Sequence, residues 1–371
     1  MPKVAAIILA GGFSSRMGAF KPLLPLAGRS ALERSIRLFQ TAGISDVRVV
    51  TGHRAAELGP LLKDLDVCEI ANPNYAAGMF SSVAAGLASL AGNIDACLVL
   101  PVDLPLVRSA TVRSLVQNFT ATPAKVLYPC FGGKRGHPPL IAGDLARRIP
   151  AWCGPAGLQG ALSLWENQAR EIAVADELIL YDMDRPDDFQ QLQRRALRLE
   201  LPNRRECQAL WELNSPDEQI IRHCRAVAEL AVELGGALNA AGLALDLELL
   251  ETAALVHDLA RCEKDHARIG AERLKSHDFP ALTELVACHM DLPQPLRNTI
   301  TDVEVLYLAD KLVLGERRVS LRERFAKTGD RFRNDPQVRE KIAARKGNAE
   351  IVRQQIEQLL GRPLTEVGVA P

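Results

Sequence analysis

Two groups of residues in this 371-residue sequence have the types and spacing to do chemistry. The first is Leu9-Ala10-Gly11-Gly12-Phe13-Ser14-Ser15-Arg16-Met17-Gly18, followed closely by Lys21. Glycines carry no Cβ, so backbone amides there can approach phosphate oxygens closely. Arg16 as a planar fork and Lys21 as a point charge would neutralise a triphosphate. A glycine-rich stretch by itself reads equally well as a strand-to-helix turn flanked by surface cations, so the rest of the string has to decide.

The second group is rich in histidine. Five of the seven histidines lie between His223 and His289. His257-Asp258 ends the apolar run Ala253-Ala254-Leu255-Val256, His223 lies a helix earlier, and Asp310 ends Val305-Leu306-Tyr307-Leu308-Ala309. One helix offers few ligands on one face, so four ligands from three helices would form a site in the core of a bundle. A divalent ion held there would lower the pKa of bound water from about 15.7 toward 7, which is hydrolytic chemistry. Imidazole mixed with carboxylate suits iron, manganese, cobalt or zinc better than calcium, and magnesium stays open. The competing reading of any single histidine is a satisfied core residue. Arg261, Lys264 and Lys311 stand near the ligands in sequence and either meet a phosphate or are ordinary surface residues. His277-Asp278 spells the same dipeptide but precedes Phe279-Pro280 at a helix end, so it is expected in a loop.

The elements that must position these groups change character along the chain. Val4–Ala10 is an apolar run of strand length, and Ser30-Ala31-Leu32-Glu33 is a capping-box pattern opening a helix that ends near Gly43. Val47–Thr51 and Ala96–Leu100 are further strand-like runs, and strand–helix–strand order predicts parallel strands covered on both faces. Lys125–Pro129 and Pro139–Ala142 flank Gly132-Gly133 as a hairpin-like excursion. Leu178–Tyr181 reads as a last strand, after which Pro186 opens a helix with Asp187 and Asp188 in its first turn. Leu201-Pro202-Asn203 and Asn214-Ser215-Pro216 bracket a segment read as a linker. Beyond it, Ile220, Val227, Leu230, Ala231 and Leu234 share a helical face, and further helices are predicted over 248–258, 267–275, 282–289 and 303–314. The basic tail from Gly315 to Gly361 interleaves acidic residues and predicts one or two solvated helices.

The complete first string resembles the signature of the nucleotidyltransferases that attach CMP or GMP to molybdopterin. The likeness continues through Leu23-Leu24-Pro25-Leu26-x-Gly28, Gly78-Met79-x-Ser81-Ser82, Pro101-Val102-Asp103-Leu104-Pro105, Arg135-Gly136-His137-Pro138 and Asp184-Arg185-Pro186-Asp187-Asp188. It covers roughly the first half of the chain and implies an α/β Rossmann-like (GT-A-type) domain over residues 1–200. Leu9, Ala10, Gly11, Gly12, Ser14, Ser15, Arg16, Lys21, Gly78, Ser81 and Ser82 would then bind the nucleotide, with Arg16, Lys21 and Asp103 in catalysis. The implied partners are CTP or GTP, a molybdopterin-type or other phosphorylated acceptor, and a molybdoenzyme downstream. Nucleotidyl transfer needs an ion such as Mg2+, which takes oxygen ligands and keeps several waters. Asp103 is the first ligand choice and Asp184, just past the expected last strand, the second, with Asp182 as its competitor. His137 is assigned to the pterin side, a plain loop histidine being the other reading. Most motifs lean toward the cytidylyl branch, while Gly11 matches the guanylyl one, and Gly157-Leu158-Gln159-Gly160-Ala161 lacks the charged members of the family's later segment. A sugar phosphate or alcohol phosphate would serve the same chemistry as acceptor.

The second group is similar to the HD superfamily, whose ordered His…His-Asp…Asp pattern falls on His223, His257, Asp258 and Asp310. His266 and His289 match the extra histidines of two-metal members. The likeness implies an all-α, metal-dependent phosphohydrolase-like domain within residues 215–360, or a regulatory or cofactor-delivery module built on the same fold.

Composition bounds the rest. Lysine plus arginine equal aspartate plus glutamate at 45 each, so no global field draws the protein to nucleic acid or to an anionic membrane. The eight cysteines contain no C-x-x-C pair, which suits free thiols in a reducing cytoplasm. The apolar start lacks a signal-peptide cleavage pattern and reads as a buried strand.

Overall fold

The computed structural model describes residues 2–215, 217–297, 299–331 and 335–367. The chain divides into two compact units, Met1–Leu199 and Glu200–Pro371.

The first unit is built on an eight-stranded mixed sheet. Its strands are β1 (Val4–Leu9), β2 (Asp46–Thr51), β3 (Cys68–Ala71), β4 (Ala96–Pro101), β5 (Val126–Phe131), β6 (Lys134–Arg135), β7 (Leu140–Ala142) and β8 (Ala169–Ala173). They run in the order β8-β5-β7-β4-β1-β2-β3, with β6 paired to β5. β1 lies parallel to both β2 and β4, and Ala5 through Leu9 are buried, which is why this strand reads as a continuous apolar run. The sheet departs from the all-parallel expectation at β7, which is antiparallel to β4 and β5 because the Gly132-Gly133 turn folds the chain back on itself.

Helices α1 (Ala31–Thr41), α2 (Met79–Ala88), α3 (Ser109–Ala121) and α4 (Pro186–Leu197) belong to this unit. Ser30 caps α1 by accepting from the Glu33 amide, the serine half of the capping-box pattern, while the Glu33 carboxylate accepts from Arg37. α2 lies close on the sheet because Gly86 faces it. A Cβ at that position would stand 2.6 Å from Ile7 Cγ2.

Strand order then fixes the site. In register, Leu9 pairs with Val50 on one side and Pro101 on the other. The glycine-rich loop after β1 and the Asp103 turn after β4 therefore leave the sheet side by side. The chain winds outward in opposite directions from this point, where open α/β sheets form their ligand crevice.

The expected last strand over Leu178–Tyr181 is instead a 3-10 turn, Glu177–Leu180. Asp176 is the reason. Its carboxylate accepts from the amides of Leu178 (3.2 Å) and Arg108 (2.9 Å) and from the Thr111 hydroxyl (2.7 Å). A side-chain acceptor of this kind replaces ladder hydrogen bonds and favours a turn; the apolar run signalled burial rather than extension. Asp184 thus follows a buried turn, and the final strand of the sheet is β8. Asp176 and Arg108 also form an ion pair with both side chains 2% exposed. Asp176→Ala is expected to destabilise the unit by ~3–5 kcal/mol, because it removes one member of a buried ion pair together with the acceptor for the Arg108 and Leu178 amides. A urea unfolding midpoint unchanged from the wild type would contradict this.

The second unit is helical: α5 (Arg204–Asn214), α6 (Glu218–Ala240), α7 (Leu247–Val256), α8 (His266–Ser276), α9 (Thr283–Cys288), α10 (Asp302–Lys311), α11 (Leu321–Arg331) and α12 (Pro336–Leu360). The segment read as a linker is α5, opened by a capping box between Asn203 and Glu206. It packs on α7, where the Trp211 indole donates to the Leu255 carbonyl at 3.0 Å. Pro216, at the end of that reading, lies outside the described residues. α6 packs against α7 and α10, and α10 in turn against α9 and α12. The basic tail forms α11 and α12, and α12 buries the stripe Ala349, Val352 and Ile356. Two of its cations are paired, Arg353 with Glu350 and Glu357 and Arg345 with Asp291. No helix among the described residues is long and apolar enough to cross a membrane. All eight cysteines are free.

Candidate active sites

In the first unit, the carboxyl ends of the strands enclose a cleft of about 710 Å³. The loop from Leu9 to Arg16, Lys21, Gly78, Met79, Ser82, Asp103, Arg135–His137, Asp182 and Asp184 all line it. The loop is shaped by Ser14, whose φ of 56° is left-handed and whose hydroxyl accepts from the Lys21 amide at 3.2 Å. At Gly11 a Cβ would lie 3.3 Å from the backbone of Thr51 and Gly52 and from Ser82 Oγ, so the loop runs tightly past α2. Ser15 and Arg16 are exposed.

The cations and carboxylates meet at one point. Lys21 Nζ donates to Asp184 Oδ1 at 2.7 Å and reaches Asp103 Oδ2 at 3.4 Å, while Arg16 donates to Asp184 Oδ2 at 2.8 Å. The Met183 amide donates to the Asp103 carbonyl at 3.0 Å, tying the two acidic segments together. Burial pushes the Asp103 carboxyl above its ordinary pKa against the pull of Lys21, and the Lys21 hydrogen bond holds Asp184 below its own. Burial, with Asp184 adding to it, raises Asp182. Asp103 Oδ1 is buried with no hydrogen-bond partner. An orphaned carboxylate oxygen beside a second carboxylate is a hard-oxygen pair of the kind magnesium takes.

His137 also lines the cleft. Its amide donates to the Ile179 carbonyl at 3.0 Å, its ring Nδ1 is buried without a partner, and burial holds its pKa down. Gly78 and Ser82 face the cleft, whereas Ser81 turns its hydroxyl to the Gly78 carbonyl. Asn72 is a residue that the sequence reading passed over. It donates to both serine hydroxyls, at 2.9 and 3.0 Å. Its only signal was position, an Asn-Pro pair directly after the short segment Cys68-Glu69-Ile70-Ala71.

In the second unit, all six predicted residues converge. His223 Nε2 is 3.1 Å from Asp310 Oδ1 and His257 Nε2 is 3.7 Å from it. His266 Nε2 and His289 Nε2 each lie 3.3 Å from Asp258 Oδ1. The Nδ1 atoms of His223, His257 and His289 sit 2.9, 2.7 and 2.6 Å from the carbonyls of Gly315, Ala254 and Val286. A carbonyl only accepts, so each Nδ1 carries the proton and each Nε2 presents its lone pair inward. His257 Nε2, His289 Nε2 and Asp258 Oδ1 are buried with no hydrogen-bond partner. Potential ligand atoms fall into two groups, His223–His257–Asp258 and Asp258–His266–His289, each within 4.8 Å, with Asp258 common to both. This donor set fits divalent transition metals.

The electrostatics agree. Burial would raise Asp258 and Asp310, but the adjoining histidines, and Lys311 for Asp310, outweigh it and hold both carboxyls well below their ordinary range. Burial disfavours the charged forms of His257 and His289. Cys224, Asp258 and Asp310 overcome this for His257, which is raised, while His289 stays lowered. Lys311 is not a surface residue or a free phosphate contact: it is buried, and its ammonium donates to Asp310 Oδ2 and the His289 carbonyl, both at 2.7 Å. Arg261 stands at the open side, its guanidinium 3.0 Å from His266 Nε2. His277 caps the end of α8, away from these ligand groups.

Comparison with known proteins matches the same two regions. Residues 6–172 match the MobA-like NTP transferase domain, and residues 220–335 match the HD domain. Over 190 residues the chain is 28% identical to the molybdenum cofactor cytidylyltransferase of Escherichia coli (strain K12), covering 51% of this chain and 95% of that enzyme. It is 36% identical over 110 residues to the molybdenum cofactor guanylyltransferase of Xanthomonas euvesicatoria pv. vesicatoria, covering 30% of this chain and about half, 52%, of that one. A solved nucleotidyl transferase from Methanothermobacter superposes with a TM-score of 0.47 and 24% identity, over 53% of this chain and 98% of its own.

Proposed function

We propose that this chain, a MobA-like NTP transferase domain followed by an HD domain, transfers CMP from CTP, or GMP from GTP, to the phosphate of a molybdopterin-type cofactor and releases pyrophosphate. The observation that carries the reading is the convergence in one cleft of the glycine loop, two cations and two carboxylates, with Asp103 Oδ1 unpartnered.

An acceptor phosphate oxygen attacks the α-phosphorus, one P–O bond forms, and the bond to pyrophosphate breaks. The barrier is mainly charge and alignment. The amides of the Gly11–Arg16 loop meet the phosphate oxygens, and Arg16 and Lys21 leave Asp184 to balance the charge that develops on pyrophosphate. Asp103 and Asp184 would hold magnesium, which supplies charge neutralisation and alignment of the phosphates when bound. Ser82 and Gly78 contact the nucleoside, and His137 with Arg135 receives the acceptor.

The HD unit is proposed to be a metal-dependent phosphohydrolase. His223, His257, Asp258 and Asp310 would hold one ion, and Asp258, His266 and His289 a second. Such an ion supplies hydroxide near neutral pH when bound. The Nδ1 hydrogen bonds of His223, His257 and His289 fix the rings so that Nε2 is the atom offered to an ion, and Arg261 is placed to meet a phosphate. The free cysteines support a reducing compartment, and a molybdoenzyme would receive the product.

The test is pyrophosphate release by purified protein given Mg2+, CTP or GTP, and either molybdopterin or a panel of sugar and alcohol phosphates. Turnover with molybdopterin alone is the expected result. Turnover only with a sugar phosphate would replace the acceptor, and none with any NTP would remove the transferase reading.

A further inference from the structure

Asn72 sits in the turn after β3 and is 4% exposed, far from the charged residues of the cleft in sequence. Its amide orientation is forced. Oδ1 lies 2.9 Å from the Asn74 backbone amide, which can only donate, so the other end must be the NH2 group. That NH2 has two protons and spends them on Ser81 Oγ and Ser82 Oγ. Ser81 then donates its own proton to the Gly78 carbonyl at 2.8 Å, which closes its bonding. Ser82 does not close. It accepts from Asn72, its residue is 5% exposed, and among the described residues its proton meets no acceptor. Ser82 lines the cleft beside Gly11, where the absence of a Cβ leaves the approach open.

From this we infer that Asn72 is a positioning residue that locks the Ser82 hydroxyl as a hydrogen-bond donor into the cleft, where it meets an acceptor atom of the nucleobase, a carbonyl oxygen or ring nitrogen. The inference rests on the reading of this cleft as a nucleotide site. The acceptor is assigned to the base rather than a phosphate because the cations Arg16 and Lys21 gather at Asp184, not at Ser82.

Polarity and packing make opposite predictions for two substitutions. Asn72→Asp keeps the size of the side chain and the oxygen that accepts from Asn74. If Asn72 only held the turn together, Asn72→Asp would be milder than Asn72→Ala. If it sets polarity, the reverse follows. A carboxylate only accepts, so Ser82 would turn its proton toward residue 72 and present a lone pair to the acceptor on the base. Like charge also enters, since the new carboxylate repels the triphosphate, and a Ser82→Ala background isolates that part.

The experiment is calorimetric binding of CTP and GTP with Mg2+ to the full chain carrying N72A, N72D, S82A and N72D/S82A, with thermal unfolding to confirm folding. For the tighter nucleotide, N72A is expected to weaken binding about 3- to 10-fold and N72D about 30- to 100-fold. Most of the N72D loss should vanish in the S82A background, and in turnover KM should move while kcat stays within about 3-fold. An N72D effect smaller than that of N72A, or one undiminished beside S82A, would overturn the inference. A wild-type protein that binds neither nucleotide would overturn the nucleotide reading and this inference with it.

Discussion

Asp103→Asn is expected to abolish nucleotidyl transfer, with kcat/KM falling by about 1,000-fold or more, while leaving the protein folded. The substitution conserves shape while removing the charge and replacing one acceptor oxygen by a donor NH2. Asp103 is the carboxylate whose Oδ1 is buried without a partner and whose other oxygen makes a long 3.4 Å contact to Lys21. Burial dominates its environment and raises its pKa, so the folded state carries a cost for keeping this group ionised. The neutral amide relieves that cost. Melting temperature without ligand is therefore expected to equal or exceed that of the wild type, even as activity disappears. Lower stability with activity within tenfold of wild type would mean that Asp103 is a structural turn residue. Manganese binding in the presence of nucleotide, followed by electron paramagnetic resonance, gives an independent reading and should weaken in the variant.

The second large effect concerns the helical unit. Asp258→Ala is expected to empty both halves of the histidine cluster at once, because the two ligand groups have only Asp258 in common. Changes to groups that merely orient a ligand commonly cost ~10–100-fold in metal affinity, so loss of a shared ligand should exceed that range. Elemental analysis should find metal near stoichiometric in the wild type and close to absent in the variant. Phosphohydrolase activity toward a phosphomonoester and phosphodiester panel should be lost with the metal. His266→Ala removes a ligand from one group only and should lower content partially. Full metal retention in Asp258→Ala would refute the shared-ligand arrangement. A wild type that holds metal yet hydrolyses nothing in the panel would favour a regulatory or cofactor-delivery role for this unit.

Much of the site was legible because its parts are local. The glycine loop is contiguous, and His257-Asp258 are neighbours at the end of one helical run. What failed did so for identifiable physical reasons. Leu178–Tyr181 has strand composition, but the Asp176 carboxylate takes the Leu178 amide that a strand would have offered to a neighbour. The 204–214 segment looked like a linker because Pro and Asn bracket it, yet Asn203 is a capping residue and Trp211 is buried. Lys311 looked like a free cation, and only the packing of α10 against α9 turns its ammonium onto a buried carboxylate and a carbonyl. Asn72 escaped notice because its importance lies wholly in what folds against it.

The sequence alone determined which residue types were available, the order of strands and helices near the loop, and the chemistry that glycine, cation, carboxylate and imidazole can do. These follow from short-range geometry and intrinsic affinity for protons and ions, which neighbours in the chain carry with them. Tertiary structure decided which groups meet. Parallel pairing of β1 with β2 and β4 brings Leu9 beside Val50 and Pro101, so residues some ninety positions apart share a cleft. Helix packing likewise makes Asp258 common to two histidine groups. Burial then set the charges, since the cost of desolvation depends on everything packed around a group and on nothing written beside it.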